Sequence, residues 1–204
     1  MLRLYSKNNA ASRIERVVSV LRDGGVIVYP TGSGYALGCD ALKERAVERI
    51  CKIRGIDPGE HPLSLICYDL SAISEYAHIS TPVYKVMKRN LPGPFTFILK
   101  GKSRLPKIFR SRKSGEVGIR MPDSPIVREI LAALGEAMMT ASLPSDGAYA
   151  DLEYRTEPEL IDETFGHLID LVIDGGVERW GVTTVVDCRD DEVMVIRQGD
   201  GELE

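Results

Sequence analysis

Short apolar, β-branched runs alternate with amphipathic helical segments along almost the whole of this chain. In one helical segment, Ile14, Val17, Val18 and Leu21 share a face. Helices are predicted at residues 12–22, 41–54, 70–76, 82–89, 125–134 and 158–165, and strands at residues 1–5, 26–29, 63–67, 95–99, 117–121, 137–142, 168–173, 183–186 and 193–196. This alternation predicts an α/β fold with a largely buried sheet.

A glycine-rich stretch follows the strand predicted at residues 26–29. Gly32, Gly34 and Gly38 allow backbone amides to point inward, so the stretch is suited to an anion or a small polar ligand. A strand-to-helix turn without a ligand is the alternative. The stretch lacks the Gly-Lys-Ser/Thr ending of a P-loop and the glycine spacing of a dinucleotide fingerprint. Asp40 is predicted to cap the next helix, which ends at Arg54.

The length and composition favour one domain spanning residues 1–204, since 204 residues at 44% hydrophobic content suffice for one substantial core. No apolar run approaches the roughly 18 to 20 residues of a membrane span, so we expect a cytoplasmic protein without a membrane partner. The cysteines at positions 39, 51, 67 and 188 have no Cys-x-x-Cys spacing and are expected to be reduced. A metal site built only from side chains is not expected.

The charges are distributed unevenly, although the formal net charge is only −4. Residues 85–120 contain eleven basic residues and one acidic residue, whereas the chain beyond Arg120 contains twenty acidic residues and five arginines. The basic segment is either a solvated face or a surface for an anionic partner such as duplex RNA. The residues assigned to RNA binding are Lys100, Lys102, Arg104, Lys107, Arg110, Arg112 and Lys113.

Several short motifs occur in a characteristic order along the full length of the chain. They are Pro30-Thr31, Tyr35-Ala36-Leu37-Gly38, Lys52-x-Arg54, Pro62-Leu63-Ser64, Pro92-Gly93-Pro94-x-Thr96, Val117-Gly118-Ile119-Arg120-x-Pro122, Asp174-Gly175-Gly176, Thr183-Thr184-Val185-Val186-Asp187 and Ile196-Arg197-Gln198-Gly199. Together they resemble the YrdC/YciO family, the threonylcarbamoyl-adenylate synthase superfamily. The resemblance implies a twisted, mixed sheet of about seven strands flanked by helices, with an open cleft.

The resemblance also implies a reaction, in which threonine, bicarbonate and ATP give threonylcarbamoyl-adenylate for tRNA modification, with or without Mg²⁺. By the same resemblance, Lys52 and Arg54 are the catalytic residues that hold the triphosphate. The residues assigned to nucleotide or substrate binding are Thr31, Tyr35, Arg120, Ser142, Thr184 and Arg197. From the residues alone, Lys52 and Arg54 also fit an ordinary basic helix C-terminus. Arg120 and Arg197 either pair with a carboxylate or face a ligand.

Two departures from the synthase pattern bring the chain closest to the YciO branch of that family. Ser142-Leu143-Pro144 stands where the synthases carry Ser-x-Asn, and Gly32 stands where an acidic residue usually follows Pro-Thr. Proline offers neither an amide side chain nor a backbone donor at that position. The alternatives to a synthase are therefore a non-catalytic module that binds double-stranded RNA or tRNA, and a nucleotide-binding protein that has lost catalysis.

Overall fold

The structure is a computed structural model that describes residues 1–61, 63–110, 115–190 and 192–204, without the side chain of Arg110. The helices of this part are α1 (Ala11–Arg22), α2 (Glu44–Arg54), α3 (Leu70–Tyr76), α4 (Thr81–Asn90), α5 (Pro125–Leu134), α6 (Glu153–Thr156) and α7 (Pro158–Phe165). The strands are β1 (Leu2–Arg3), β2 (Ile27–Pro30), β3 (Tyr35–Asp40), β4 (Ser64–Ile66), β5 (Ala77–His78), β6 (Phe95–Gly101), β7 (Glu116–Arg120), β8 (Met138–Ser142), β9 (Leu171–Asp174), β10 (Thr184–Asp187) and β11 (Met194–Arg197).

All strands of the described residues belong to one mixed sheet. Its order is β1-β9-β2-β3-β8-β4-β7-β6-β10-β11, with β5 paired to β6 beside this path. The pairs β1–β9, β2–β9, β4–β7 and β6–β10 are parallel, and the remaining pairs are antiparallel. The predicted α/β fold with a mixed sheet is confirmed. The expectation of about seven strands was wrong, because the described residues form eleven.

The sheet buries apolar side chains on both faces. Along β2 and the residue before it, Val26 and Val28 join one hydrophobic cluster, whereas Ile27 and Tyr29 join another. Because successive strand residues point to opposite faces, these two clusters lie on opposite sides of the sheet. Helices α1 and α5 cover the second side, and α2, α3, α4 and α7 contribute to the first. This double cover explains why the strands read as continuous apolar runs.

Helices α1 and α5 follow their sequence patterns closely. Ile14, Val17, Val18 and Leu21 of α1 are buried, as their spacing predicts. Helix α5 begins after Ser124, whose hydroxyl accepts from the backbone N–H of Val127. Gly135 ends the same helix in the left-handed region, with a φ of 77°.

The segment after β2 differs from its prediction. Residues Tyr35–Asp40 form strand β3, which pairs with both β2 and β8, and α2 begins only at Glu44. Asp40 therefore does not cap the helix; its side chain instead accepts from the backbone N–H of Leu42. Gly38 is a strand position that requires glycine, because a Cβ there would come 2.6 Å from the ring of Tyr29. Only residues 31–34 remain as a glycine turn.

The state of the four cysteines agrees with the sequence expectation. Cys39, Cys51, Cys67 and Cys188 are all free and buried. Among the helices described, none is both long enough and apolar enough to cross a membrane.

Candidate anion-binding cleft

A cleft of about 450 Å³ opens above the ends of the central strands. Its described lining combines three arginines with nine hydroxyl side chains and contains no aspartate or glutamate. The arginines are Arg120, Arg155 and Arg197, and the hydroxyl residues are Thr31, Ser33, Tyr35, Ser64, Thr96, Thr140, Ser142, Ser145 and Thr183. A lining of cations and neutral donors without carboxylates favours an anionic ligand.

Arg120 stands at the end of β7 with its guanidinium in the cleft. Its Nε is buried and has no hydrogen-bond partner, and its side chain forms no ion pair with any described carboxylate. Burial lowers the pKa of Arg120, and nearby Arg197 lowers it further. Of the two readings left open by the sequence, the carboxylate partner is excluded within the described residues. A guanidinium this desolvated gains a partner when an anion enters.

Arg197 reaches the cleft from the end of β11. Its Nη2 donates to the backbone oxygen of Thr183 at 2.9 Å and lies 3.4 Å from the hydroxyl of the same residue. Thr183 also shares a hydrogen bond of 2.9 Å with Thr96. Arg197 is exposed, so the outer part of its guanidinium is accessible to a ligand.

Thr184 does not line the cleft, in contrast to its assignment from the sequence. Its hydroxyl is fully buried, donates to the oxygen of Gly201 at 2.6 Å and accepts from the N–H of Gly199 at 3.0 Å. It therefore fixes the C-terminal segment and has no donor left for a ligand. Thr183 lines the cleft instead, because adjacent residues of an extended chain point to opposite sides. The alternation of side chains along a strand was therefore the sequence feature that separates Thr183 from Thr184.

The glycine turn uses several of its amides within the protein, including those of Gly32 and Ser33. The N–H of Gly32 donates to the Glu178 carboxylate at 2.5 Å, and the hydroxyl of Thr31 donates to the oxygen of Gly34 at 2.8 Å. Burial raises the pKa of Glu178, against the backbone hydrogen bonds from Gly32 and Gly34. The turn shapes the cleft wall, but the Gly32 amide that the sequence offered to a ligand is occupied by this carboxylate.

Tyr35 lines the cleft and links it to the segment after β9. Its hydroxyl donates to the oxygen of Gly176 at 2.7 Å and accepts from the N–H of Gly175 at 3.0 Å. Burial raises the pKa of this hydroxyl well above its usual value. Because both hydrogen bonds are internal, the ring of Tyr35 is a wall of the cleft, and its hydroxyl positions the glycines.

Of the two predicted catalytic residues, Arg54 lies at the cleft rim and Lys52 lies outside the cleft. Helix α2 ends at Arg54, whose Nε donates to the hydroxyl of Ser142 at 3.3 Å. Ser142 itself lines the cleft. Lys52 is exposed on the last turn of the helix and is not among the lining residues. The structure thus brings Arg54 and Ser142 together and leaves Lys52 in solvent.

Arg155 and Trp180 line the cleft but were not predicted from the sequence. The Arg155 guanidinium lies 4.4 Å from the centroid of the Trp180 ring. Arg155 lies in helix α6 and Trp180 in the segment between β9 and β10, and neither belongs to a periodic pattern or a quoted motif. The only sequence signal was that Trp180 is the single tryptophan of the chain, beside the glycine-rich Asp174-Gly175-Gly176 segment.

Two described cations of the basic segment, Lys100 and Arg104, form ion pairs within the protein. Lys100 pairs with Asp190 at 3.1 Å, Lys102 donates to the oxygen of Ser74, and Arg104 pairs with both Glu136 and Glu75. Lys107 is exposed. Arg112, Lys113 and the side chain of Arg110 lie outside the described residues. Binding of RNA by this segment stays a prediction, and these internal pairs do not favour it.

Metal-ligating side chains are not grouped in the part of the chain that the structure describes. There, no three or more histidine, cysteine, aspartate or glutamate residues stand close enough to hold an ion.

Comparison with known proteins gives a consistent picture. The family model Sua5_yciO_yrdC, described as telomere recombination, matches residues 19–199. The chain is 40% identical over 200 residues to an Escherichia coli K12 protein named "Uncharacterized protein YciO", covering 98% of this chain and 95% of that protein. It is 27% identical to a "Putative threonylcarbamoyl-AMP synthase" of Methanocaldococcus jannaschii, covering 98% of this chain and 92% of that protein.

Among solved structures, too, a YciO protein is more similar to this chain than a Sua5 protein is. The crystal structure of E. coli YciO superimposes with a TM-score of 0.89 at 39% identity, covering 98% of this chain and 96% of that one. The structure of P. abyssi Sua5 complexed with L-threonine gives a TM-score of 0.81 at 24% identity, covering 97% of this chain and 57% of that one. The second likeness concerns the fold alone.

Proposed function

Because the chain belongs to the Sua5/YciO/YrdC family, whose model matches residues 19–199, we propose that its cleft binds ATP and converts an amino-acid carbamate to an adenylate. The reaction is that of a threonylcarbamoyl-adenylate synthase, with threonine, bicarbonate and ATP as substrates and pyrophosphate as the leaving product. The relative of Methanocaldococcus jannaschii at 27% identity, a putative threonylcarbamoyl-AMP synthase, supports this reaction class.

The observation that carries the proposal is the unpartnered guanidinium of Arg120 in a cleft without carboxylates. A buried charged donor without a partner destabilises the folded state by about 1 to 3 kcal/mol or more. A protein keeps such a group more readily where a ligand supplies the missing hydrogen-bond acceptor. Phosphate and carboxylate oxygens both match the planar fork of arginine.

In the proposed reaction, bicarbonate takes up a proton and releases water to give carbon dioxide. The amine of threonine adds to the carbon dioxide and releases a proton, and an oxygen of the resulting carbamate attacks the α-phosphorus. The bond to the pyrophosphate oxygen breaks, and pyrophosphate leaves with the electron pair. Arg120 and Arg197 neutralise the charge that spreads over the phosphate oxygens, and the hydroxyls of Ser142 and Thr183 orient the ligand. Arg54, at the rim beside Ser142, is placed to hold the outer phosphates.

A magnesium ion that accompanied the nucleotide would bind chiefly through phosphate oxygens. Mg²⁺ favours carboxylates and phosphates as ligands, and the described cleft lining offers no carboxylate. Lys52 would contribute to phosphate binding only if its flexible side chain reaches across the rim.

The test is release of pyrophosphate by the purified protein with ATP, bicarbonate and L-threonine, compared with the same mixture without threonine. We expect threonine-dependent release, and we expect Arg120→Gln to lower it by about a hundredfold, because one charge-assisted contact in the transition state is worth several kcal/mol. Arg16→Gln is the matched control, because Arg16 is an exposed arginine on α1.

Absence of threonine-dependent release by wild-type protein that still binds ATP would contradict the synthase activity. It would leave a nucleotide-binding protein and direct the search to other amino acids and to the non-catalytic alternative. Absence of ATP binding would overturn the proposed function altogether.

A further inference from the structure

Arg155 has an unused hydrogen-bond donor in the wall of the cleft. Its Nη2 donates to the oxygen of Ala150 at 2.8 Å, but its Nε is buried and has no partner. No ion pair joins Arg155 to any described carboxylate. Arginine does not lose its proton in proteins, so the N–H at Nε is always present. A buried donor of this kind calls for an explanation, and a ligand oxygen supplies one.

The Arg155 guanidinium is held in one plane by the indole of Trp180, with its Cζ 4.4 Å from the ring centroid. Stacking occupies a face of the guanidinium and leaves its in-plane N–H groups free to donate. The arrangement resembles a preorganised donor more than a mobile surface cation, since stacking fixes the side chain before a ligand arrives.

The wall that carries this pair is fixed by three further contacts. Trp180 packs on the glycine turn so closely that a Cβ at Gly34 would lie 3.0 Å from the indole. The N–H of Glu178 donates to the oxygen of Thr156 at 3.0 Å, and the Glu178 carboxylate accepts from Gly32. Residues 31–34, helix α6 and the segment before Trp180 thus form one supported wall, which keeps Arg155 at a defined place.

We infer that Arg155 is a further ligand-binding residue, which donates from Nε to an anionic oxygen of the polyphosphate in the cleft. The inference rests on the proposed function, because it concerns a ligand of the same cleft. Arg120, Arg155 and Arg197 come from three different elements, β7, α6 and β11. Three arginines on separate elements suit a ligand with several anionic groups, such as a triphosphate, better than a single carboxylate.

The experiment compares the binding of ATP, tripolyphosphate and orthophosphate by calorimetry. We expect Arg155→Gln to weaken the binding of ATP and of tripolyphosphate by about tenfold or more. The reason is that one charge-assisted hydrogen bond is worth about 1.5 to 3 kcal/mol. Arg155→Lys should weaken both ligands similarly, because lysine keeps the charge but loses Nε and the stacking plane. Arg16→Gln, an exposed arginine on α1, is the matched control.

If Arg155 has a purely structural role, through its bond to Ala150, its substitution would lower the melting temperature without changing the affinity for ATP or tripolyphosphate. Affinities of Arg155→Gln within about twofold of wild type would overturn the inference, and if that variant does not fold, Arg155→Lys decides in the same way. Loss of binding in Arg120→Gln with unchanged binding in Arg155→Gln would reject Arg155 but leave the proposed function standing. A wild-type protein that binds neither ATP nor tripolyphosphate would overturn both.

Discussion

Arg120 is a residue at which ligand binding and stability make opposite demands: an unpaired buried charge suits an anionic ligand but destabilises the ligand-free fold. Its guanidinium is desolvated, has no carboxylate partner among the described residues, and lies close enough to Arg197 for like charges to act on its pKa. Every folded molecule without ligand bears this unfavourable charge. Such arrangements are typical of binding sites, where stability is lower than the sequence could achieve.

We therefore expect Arg120→Met to raise the free energy of unfolding of the ligand-free protein by about 1 kcal/mol. Methionine is flexible, of similar length and uncharged, so it removes the desolvated charge without a large cavity. The same variant should lose the thermal stabilisation that ATP gives to the wild type. Urea unfolding and melting curves with and without ATP measure the two effects. Destabilisation by more than about 1 kcal/mol would mean that Arg120 has an essential structural contact.

Glu178 gives a second prediction, on pH. Burial raises its pKa in the folded protein, against the hydrogen bonds from Gly32 and Gly34 that lower it. The folded state therefore binds the proton more tightly than the unfolded state does. The resulting stability is fully present below the unfolded pKa of about 4.3 and is lost as the pH rises through the higher folded pKa.

Glu178→Gln cannot ionise and keeps an oxygen that can accept from Gly32. We expect this variant to be more stable than the wild type at neutral pH, with the difference shrinking towards zero below about pH 4. Urea unfolding at a series of pH values measures it. A difference that does not change with pH would show that ionisation of Glu178 does not affect folding.

At the scale of elements, local pattern predicted the helices better than the strand after the glycine turn. Helices α1 and α5 show an apolar stripe, and α5 also has a serine cap and a terminal glycine, so local chemistry and tertiary packing agree. Strand β3 begins within a glycine- and hydroxyl-rich stretch that is typical of a loop. It is buried on both faces between β2 and β8, so it lacks the alternation that marks a half-exposed strand.

Gly38 in β3 illustrates a contact that no local pattern contains. A Cβ at this position would lie 2.6 Å from the ring of Tyr29, which is fully buried and hydrogen-bonded to Thr140 at 2.6 Å. The ring cannot move without loss of that bond. Only packing across the two strands makes glycine necessary here.

Gly38→Ala should therefore lower the free energy of unfolding by about 1 to 3 kcal/mol, as overpacking of a close-packed core does. Gly59→Ala is the control, because Gly59 is exposed and the nearest atom to its added Cβ is a side-chain oxygen of Asp57 at 3.1 Å. Urea unfolding of both variants measures the difference. Equal stability of the two variants would show that the Tyr29 ring has room to shift.

At the scale of the whole molecule, the order of short motifs located most of the cleft. Thr31, Tyr35, Arg120, Ser142 and Arg197 all line it, although they come from four separate stretches of the sequence. Motif order cannot give the direction of a side chain, which is why Thr184 was chosen over its neighbour. It also gave no signal for the contact of Arg155 with Trp180, because helix α6 and the segment before β10 meet only in the fold.

The charge pattern also changes when the chain folds. In the sequence, a basic segment precedes an acidic half, but in the structure acidic residues of that half return to the basic segment. Glu136 pairs with Arg104, and Asp190 pairs with Lys100. A sequence-level excess of positive charge is therefore no measure of the free positive charge on the folded surface.

These pairs make a testable statement about RNA. Asp190→Asn with Glu136→Gln should release Lys100 and remove one of the two carboxylate partners of Arg104, which keeps Glu75. We expect the double variant to bind an RNA duplex of about 20 base pairs more tightly. We expect a gain of about tenfold at low salt that disappears as salt rises, since phosphate contacts depend on counterion release. Fluorescence anisotropy over a series of salt concentrations measures it. Glu159→Gln with Glu163→Gln, two exposed residues of α7, is the control with the same change in net charge.

Equal gains in the test and control variants would mean that only the net charge matters. Strong binding by the wild type that neither double variant changes would contradict the neutralisation argument, because the internal pairs would then not limit contact with phosphates. Tight wild-type binding that weakens steeply with salt would favour the RNA-binding alternative over the synthase. Several free cations must contact phosphates to give so steep a dependence of the affinity on salt concentration. Residue Lys107, exposed at the turn before the undescribed segment, would then be the first to reverse in charge.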